Sequence, residues 1–401
     1  MKSKAFGMLN PKLTLGFGLS MFSVGAFFLS LSPALSNITG DLYTSPELLG
    51  LPGSLYGACL GASALITSVI LDRYDRRAFY FAGLIGHALG IATIVTAQSW
   101  TVFSLGWAMC GLGAGILQPA AYAMVSDATT DGTRAHALGR VNVGWAAATL
   151  IGVPVSAFLL DAVSWRFALS LYLILWSAVA VITGTYLARR PRTEFNHPEK
   201  PSIWSRARFD AILNLRLHWV FATTIFIFIG FYGVYSFLGV MVTQELGLGA
   251  GAIGLFVSVY GGGFLIGTLN TSLIDRIGPR RALILSTGGL ALILLMLPVA
   301  LFSIISLAVT MMVWGVLQVG AFTSLTSIAG GVSQDLRGLA LALNASAVMI
   351  GASLGAGLMG IVLSMSSYQV VGATCAASTA LAMLMAIFRI QKRDTKAPNQ
   401  T

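Results

Sequence analysis

Leu71-Asp72-Arg73-Tyr74-Asp75-Arg76-Arg77 is a charged knot between two long apolar runs, and Ile274-Asp275-Arg276-Ile277-Gly278-Pro279-Arg280-Arg281 is its near copy, with Asp275 lying 203 residues after Asp72. Charged residues make up only 9% of the 401, so two matching knots are organising features rather than loop filler. Arg134-Ala135-His136-Ala137-Leu138 and Arg337-Gly338-Leu339-Ala340-Leu341 keep the same 203-residue spacing. The chain is an internal duplication, and a long fixed repeat constrains the architecture before any local reading.

Outside the knots the sequence is oily: 56% hydrophobic, mean hydropathy +0.82, with 45 Gly to 12 Pro. A soluble chain needs more polar surface than this. Apolar runs of about 20 residues recur, the length a helix needs to cross roughly 30 Å of hydrocarbon. Backbone groups without water must bond inside their own segment, so helices are required. The expected fold is an all-α polytopic membrane protein with twelve spans in two pseudo-symmetric six-helix bundles. The first span runs from Lys12 to near Leu35, and five more lie near 49–71, 78–98, 101–126, 138–160 and 166–188. The second set lies near 217–243, 250–274, 282–303, 304–331, 338–364 and 368–388. The expected division is a first bundle over 1–190, a linker over 191–216, and a second bundle with a short tail over 217–401. Lys2, Lys4 and Lys12 before the first apolar run resemble a signal peptide. The run is too long for one, and removing it would break the duplication.

The net charge of +10 is a topology signal. Basic residues fall before the first span, in alternate loops and after the last. Only Arg166 of the 24 lies on the other side, which leaves 23 together. The positive side is the cytoplasmic one, so both termini are expected in the cytoplasm and nucleic acid is not an expected partner. In the linker, Ser202 caps a candidate surface helix with Trp204, Phe209, Ile212 and Leu213 opposite Arg206, Arg208 and Asp210. Such a helix suits an anionic leaflet, and a flexible basic tether is the alternative. Cys59, Cys110 and Cys375 are isolated in apolar segments and read as packing residues.

The first knot, through Asp72, Arg73, Arg76 and Arg77, and the second, through Asp275, Arg276, Gly278, Arg280 and Arg281, resemble the loop motif of the major facilitator superfamily. Further matches are Pro33 and Asp41, Gly152 and Pro154, Ser164-Trp165-Arg166, and Arg337 through Ser346. Together they resemble the twelve-helix drug:proton antiporter and sugar-efflux branch, and the likeness spans the chain apart from the linker and tail. Ser68 and Asp75 stand at the two Gly positions of the first motif and Thr271 at the first of the second. The resemblance implies alternating access, with Asp72 facing the start of helix 11 near Gly338 and Asp275 facing the start of helix 5. With Arg134 and Arg337, these residues form a candidate conformational latch. A carboxylate at a helix N-terminus gives the physical basis, and a plain positive-inside anchor is the alternative.

Leu117-Gln118-Pro119-Ala120-Ala121-Tyr122 is echoed by Leu317-Gln318-Val319-Gly320-Ala321-Phe322 in the tenth span. An amide in hydrocarbon is costly unless satisfied, so Gln118 and Gln318 are candidate solute contacts or interhelical bonds. Phe27, Phe28, Tyr56, Tyr232, Tyr235 and Trp314 are candidates for an aromatic wall, with packing as the alternative, and Asn142 joins them as a polar contact. Glycines crowd helices 5, 8 and 11, where close approach serves sliding or static packing alike.

No Asp, Glu, Lys or Arg falls near the middle of a span. Gly25 to Phe27 lack the acid many relatives carry, Trp107 holds the expected Arg position and Cys110 the usual Gln position. His87 is read as a satisfied or lipid-edge histidine rather than a proton relay. A path without countercharge disfavours an anion and fits a neutral polar solute, with an amphipathic cation on aromatic faces as the alternative. The expected function is a secondary transporter exporting such a solute from the cytoplasm across a bacterial inner membrane. Its partners are the small molecule, the lipid bilayer and candidate coupling protons at Asp41, Asp72 or Asp161, in a monomer. Alternatives are an uncoupled facilitator or uptake permease and, from another class, a non-transporting receptor or scaffold. Neither cofactor nor metal is expected, and no nucleophile–base pair or phosphate-cradling loop marks an enzyme.

Overall fold

Twelve helices are long and apolar enough to cross a membrane in the computed structural model, which describes residues 11–71, 74–129, 131–188, 210–213 and 215–390. Spans 1 to 6 are Pro11–Leu29, Pro46–Ser68, Arg76–Val95, Trp100–Asp127, His136–Ala162 and Trp165–Leu187. Spans 7 to 12 are His218–Leu246, Ala250–Leu269, Pro279–Ala300, Ile304–Gly330, Leu336–Met365 and Tyr368–Phe388. They form two pseudo-symmetric bundles of six, as the duplication requires. One end of the molecule, here the basic end, carries the described knot residues together with Pro11 and Ile390; the opposite one is the far end. Of the candidate surface helix, Ser202 to Phe209 lie outside the described residues, while Asp210 to Leu213 are helical with Ile212 buried and Leu213 exposed.

Proline shapes the first bundle. Span 1 turns at Ser30 and continues as a second helix, Leu31–Leu42, well past the expected end. Pro33 has no N–H to give the carbonyl four residues back, so Leu29 O is freed. Tyr235 of span 7 fills the gap, its hydroxyl donating to Leu29 O at 2.8 Å. Span 5 repeats the device. Ala148–Gly152 widens into a π-helical turn just before Pro154, as helices do where the bonding ladder is interrupted. Pro154 frees Leu150 O, and Ser258 of span 8 donates to it at 3.1 Å. Both donors come from the other bundle.

The bundles meet at the far end through backbone. Ser32 donates to Tyr235 O at 2.6 Å and accepts from Gly239 N at 3.2 Å. Ser32 and Tyr235 are 203 residues apart, one short of the 204 that separate Tyr56 from Tyr260 and Gly111 from Gly315, so nearly equivalent positions of the two copies touch. Spans 2 and 11 lie equally close: a Cβ on Gly50 would collide with Ala356 O, and one on Gly57 would come 3.0 Å from Ser353 N. Asp161, at the end of span 5, accepts from Ala250 N at 3.0 Å and Gly251 N at 2.6 Å, the first amides of span 8. A carboxylate there meets the positive end of the helix.

Toward the basic end the bundles part. Span 8 packs along Val153–Ala162 but scarcely touches Asp131–Ala147, and a Cβ on Gly139 or Gly338 would meet nothing within 4 Å. The helix-11 start expected to receive Asp72 therefore has open space around Gly338. A side chain larger than hydrogen at Gly57 must push span 2 off span 11. We expect Gly57→Leu to open the far end, read as faster modification of a cysteine at the partly buried Ser54 by an impermeant maleimide.

Candidate functional site

The face between the bundles is aromatic at mid-depth. Phe28 stacks on Tyr56 with centroids 4.4 Å apart and reaches Tyr232 of the second bundle at 5.4 Å. Just beyond, Phe28, Leu31, Ser32, Gly53, Tyr232 and Tyr235 border a crevice of ≈ 10 Å³, room for about one water. This layer is a roof over the less closely packed part of that face toward the basic end. Below it, the wall of spans 4 and 5 presents Gln118, half-buried, and Asn142, exposed, whose Oδ1 accepts from Tyr122 at 2.7 Å. Tyr122 and Gln118 are four residues apart and share a helix face.

The candidates divide. Tyr56 and Tyr232 belong to the roof. Tyr235 also reaches it, but its hydroxyl is committed to Leu29 O. Phe27 lies inside the first bundle, stacked on Trp107 at 4.6 Å and edge-on to Tyr172 at 5.5 Å. Successive residues point roughly 100° apart on a helix, so Phe27 and Phe28 cannot share a face. Trp314 is likewise internal to the second bundle, 5.3 Å from Phe231 and 5.9 Å from Tyr260. The two glutamines are not at equivalent depths. Gly111 packs on Tyr56 O and Gly315 on Tyr260 O, which fixes the correspondence of spans 4 and 10. Gln118 comes seven residues after its glycine and Gln318 only three, so Phe322 takes the place equivalent to Gln118. Gln318 is buried, and neither amide atom bonds a described residue.

His87 differs from expectation. It is fully buried, 5.2 Å from Phe27 and 4.9 Å from Trp176, and neither ring nitrogen has a partner among the described residues. Glycines explain the depth: Gly113 of span 4 comes so near the His87 backbone that span 3 is drawn inward.

Of the candidate latch, Asp72 and Arg73 lie outside the described residues, as do the side chains of Asp275 and Arg134. Asp75, Arg76, Arg77 and Arg280 form bonds within their own bundles. Arg77 donates to Leu187 O at 2.8 Å, and Arg280, its counterpart, donates to Ala386 O at 3.2 Å and Ile387 O at 2.5 Å. Each guanidinium thus caps the C-terminus of its bundle's last helix, where carbonyls lack partners and the dipole is negative. Arg276 and Arg281 are exposed, and Arg337 donates to Gly330 O at 3.0 Å. Asp75 departs from the motif because it caps span 3, accepting from Arg77 N at 3.0 Å. In the second copy Gly278, at φ 86°, and Pro279 start span 9 instead, the latter with a φ suited to a first helical turn.

Arg76 pairs with Asp127 at the end of span 4, the side chains 10% and 9% exposed. The sequence reading passed over Asp127, since nothing in its spacing ties it to the knot. Removing one partner leaves a buried charge. Arg76→Ala is expected to cost roughly 3–5 kcal/mol, while Arg76→Met with Asp127→Leu is near neutral; thermal unfolding of both variants checks this.

Among solved structures the fold is similar to the nucleoside transporter NupG (TM-score 0.76, 15% identity, 95% of this chain and 100% of that one). It is also similar to a bacterial homologue of the human lysosomal transporter Spinster in an inward-facing, unoccupied conformation (TM-score 0.69, 15% identity, 95% and 97% covered). In sequence it is 30% identical over 380 residues to the uncharacterized MFS-type transporter YwfA of Bacillus subtilis (strain 168), covering 95% of this chain and 92% of the relative. Residues 13–333 and 220–401 match the Major Facilitator Superfamily, and with two six-helix bundles tied at one end the chain belongs to that superfamily.

Proposed function

We propose that this protein is a secondary transporter that moves a small neutral or amphipathic solute by alternating access, with export from the cytoplasm as its direction. The observation that carries the reading is the shape of the face between the bundles. It is roofed at mid-depth by the Phe28–Tyr56–Tyr232 layer, shut at the far end by the Ser32–Tyr235 and Asp161 contacts, and less closely packed at the basic end, where the exposed Asn142 lies. By the positive-inside argument the basic end is cytoplasmic, in a bacterial inner membrane, and this arrangement is the inward-open one. Gln118, Tyr122, Asn142 and the roof aromatics offer hydrogen bonds and ring faces without charge. Desolvating a neutral solute there costs far less than desolvating an ion.

A specific observation favours a second reading, uncoupled facilitation. Two of the candidate coupling acids already have partners. Asp41 accepts from Trp165 Nε1 at 2.7 Å and Arg166 at 3.0 Å, and Asp161 accepts both amides of span 8. Both sit at the far end, away from the mid-depth wall.

A thermal-shift screen against sugars, nucleosides and lipophilic cations identifies the solute. Vesicle flux of that solute with and without an imposed pH gradient then separates the readings. Antiport requires the gradient to accelerate export, and indifference to it leaves facilitation. Gln118→Ala is expected to lower flux about tenfold, the scale of one lost hydrogen bond of roughly 1.4 kcal/mol. Flux untouched by Gln118→Ala and Gln318→Ala together would remove these amides from the path.

A further inference from the structure

We infer that Pro33 and Pro154 make the far-end closure a switch, in which hydroxyls of the second bundle clamp backbone carbonyls freed in the first. In a continuous helix the residue at position 33 would donate to Leu29 O and that at 154 to Leu150 O; proline can do neither. A bare carbonyl in a membrane-embedded protein is unfavourable, so each needs an outside donor. Here both donors cross between the bundles: Tyr235 to Leu29 O at 2.8 Å and Ser258 to Leu150 O at 3.1 Å. Tyr235 and Leu29 are buried, and Leu29 lies one turn from the Ser32–Tyr235 contact between the bundles. The inference rests on the two-arrangement reading proposed above. When the bundles separate at the far end, both hydroxyls leave and entering water takes their place.

The device has two properties that ordinary packing lacks. Its strength depends on proline, because alanine at 33 or 154 returns the N–H to the helix and the carbonyl no longer needs the clamp. It also acts on one arrangement only, because the bonds exist only while the far end is shut. Tyr235 is thus a positioning residue, acting on the equilibrium between arrangements rather than on the solute.

The test is a pair of double-mutant cycles in the full chain, in lipid nanodiscs, with Cys59, Cys110 and Cys375 replaced by alanine and Ser54→Cys as reporter. Ser54, on span 2, lies 3.3 Å from Ser353 of span 11 across the bundle boundary and bonds neither clamped carbonyl, and as the reporter it is present in every arm of the cycles. The rate of maleimide modification reports the fraction of molecules open at the far end. Tyr235→Phe is expected to raise that rate roughly three- to tenfold, as loss of one buried hydroxyl–carbonyl bond predicts. In a Pro33→Ala background the same substitution is expected to change it less than twofold. Ser258→Ala and Pro154→Ala form an independent second cycle with the same expectation. Equal effects of the hydroxyl deletions with and without the prolines, in both cycles, would overturn the inference. Gly57→Leu serves as the opening control. If it exposes the reporter while the clamp deletions do not, the clamps fail and the moving halves stand. If nothing exposes the reporter, the two-arrangement reading itself fails.

Discussion

A carbonyl deprived of its helical partner inside a membrane must find another donor, and in this protein it finds one in the opposite bundle. Leu29 and Leu150 lose their helical bonds to Pro33 and Pro154, and Tyr235 and Ser258 supply the replacements. The two bundles are therefore joined by specific hydrogen bonds as well as by apolar contact. Hydrocarbon offers little hydrophobic drive for one helix to prefer another over lipid. Close backbone approach at Gly50, Gly57 and Gly239, together with these few polar bonds, determines which ends touch.

The duplication explains where the halves touch and where they differ. Ser32 and Tyr235 lie at nearly equivalent positions of the two copies and are bonded at the far end. At the far end the bond from Trp165 to Asp41 has a counterpart in Tyr368, which donates to Gln244 at 2.8 Å, next in the chain to Glu245. Arg77 and Arg280 both cap last helices, whereas the Arg76–Asp127 pair belongs to the first bundle, with Pro279 standing where Arg76 would be. Arg77, Arg280 and the Arg76–Asp127 pair brace each bundle internally.

Much of this was legible in the sequence. Apolar run length gave the twelve spans, and the 203-residue repeat gave the two bundles, because both follow from periodicity alone. The helix breaks were less legible: Pro33 and Pro154 were visible, but whether a proline stops a helix or bends it depends on who supplies the missing donor. The aromatic candidates divided for a similar reason. Phe27 and Phe28 are neighbours in sequence, and only the packing of spans 4 and 7 against span 1 shows which one faces the other bundle. The pairing of Gln118 with Gln318 was a pattern match one helical turn out of register, and the glycine contacts at 111 and 315 reset it. His87 read as peripheral because its span number did; the small residues that draw span 3 inward were present but carried no direction.

The central claim is that two rigid bundles carry a solute by parting at the far end that is now shut. The most direct measurement is a cross-link at that end. Ser54 and Ser353 hydroxyls lie 3.3 Å apart on opposite bundles, so paired cysteines there can form a disulfide with little movement. Oxidation of Ser54→Cys with Ser353→Cys should abolish flux in vesicles, and reduction should restore it. Undiminished flux through the fully cross-linked protein would contradict the account.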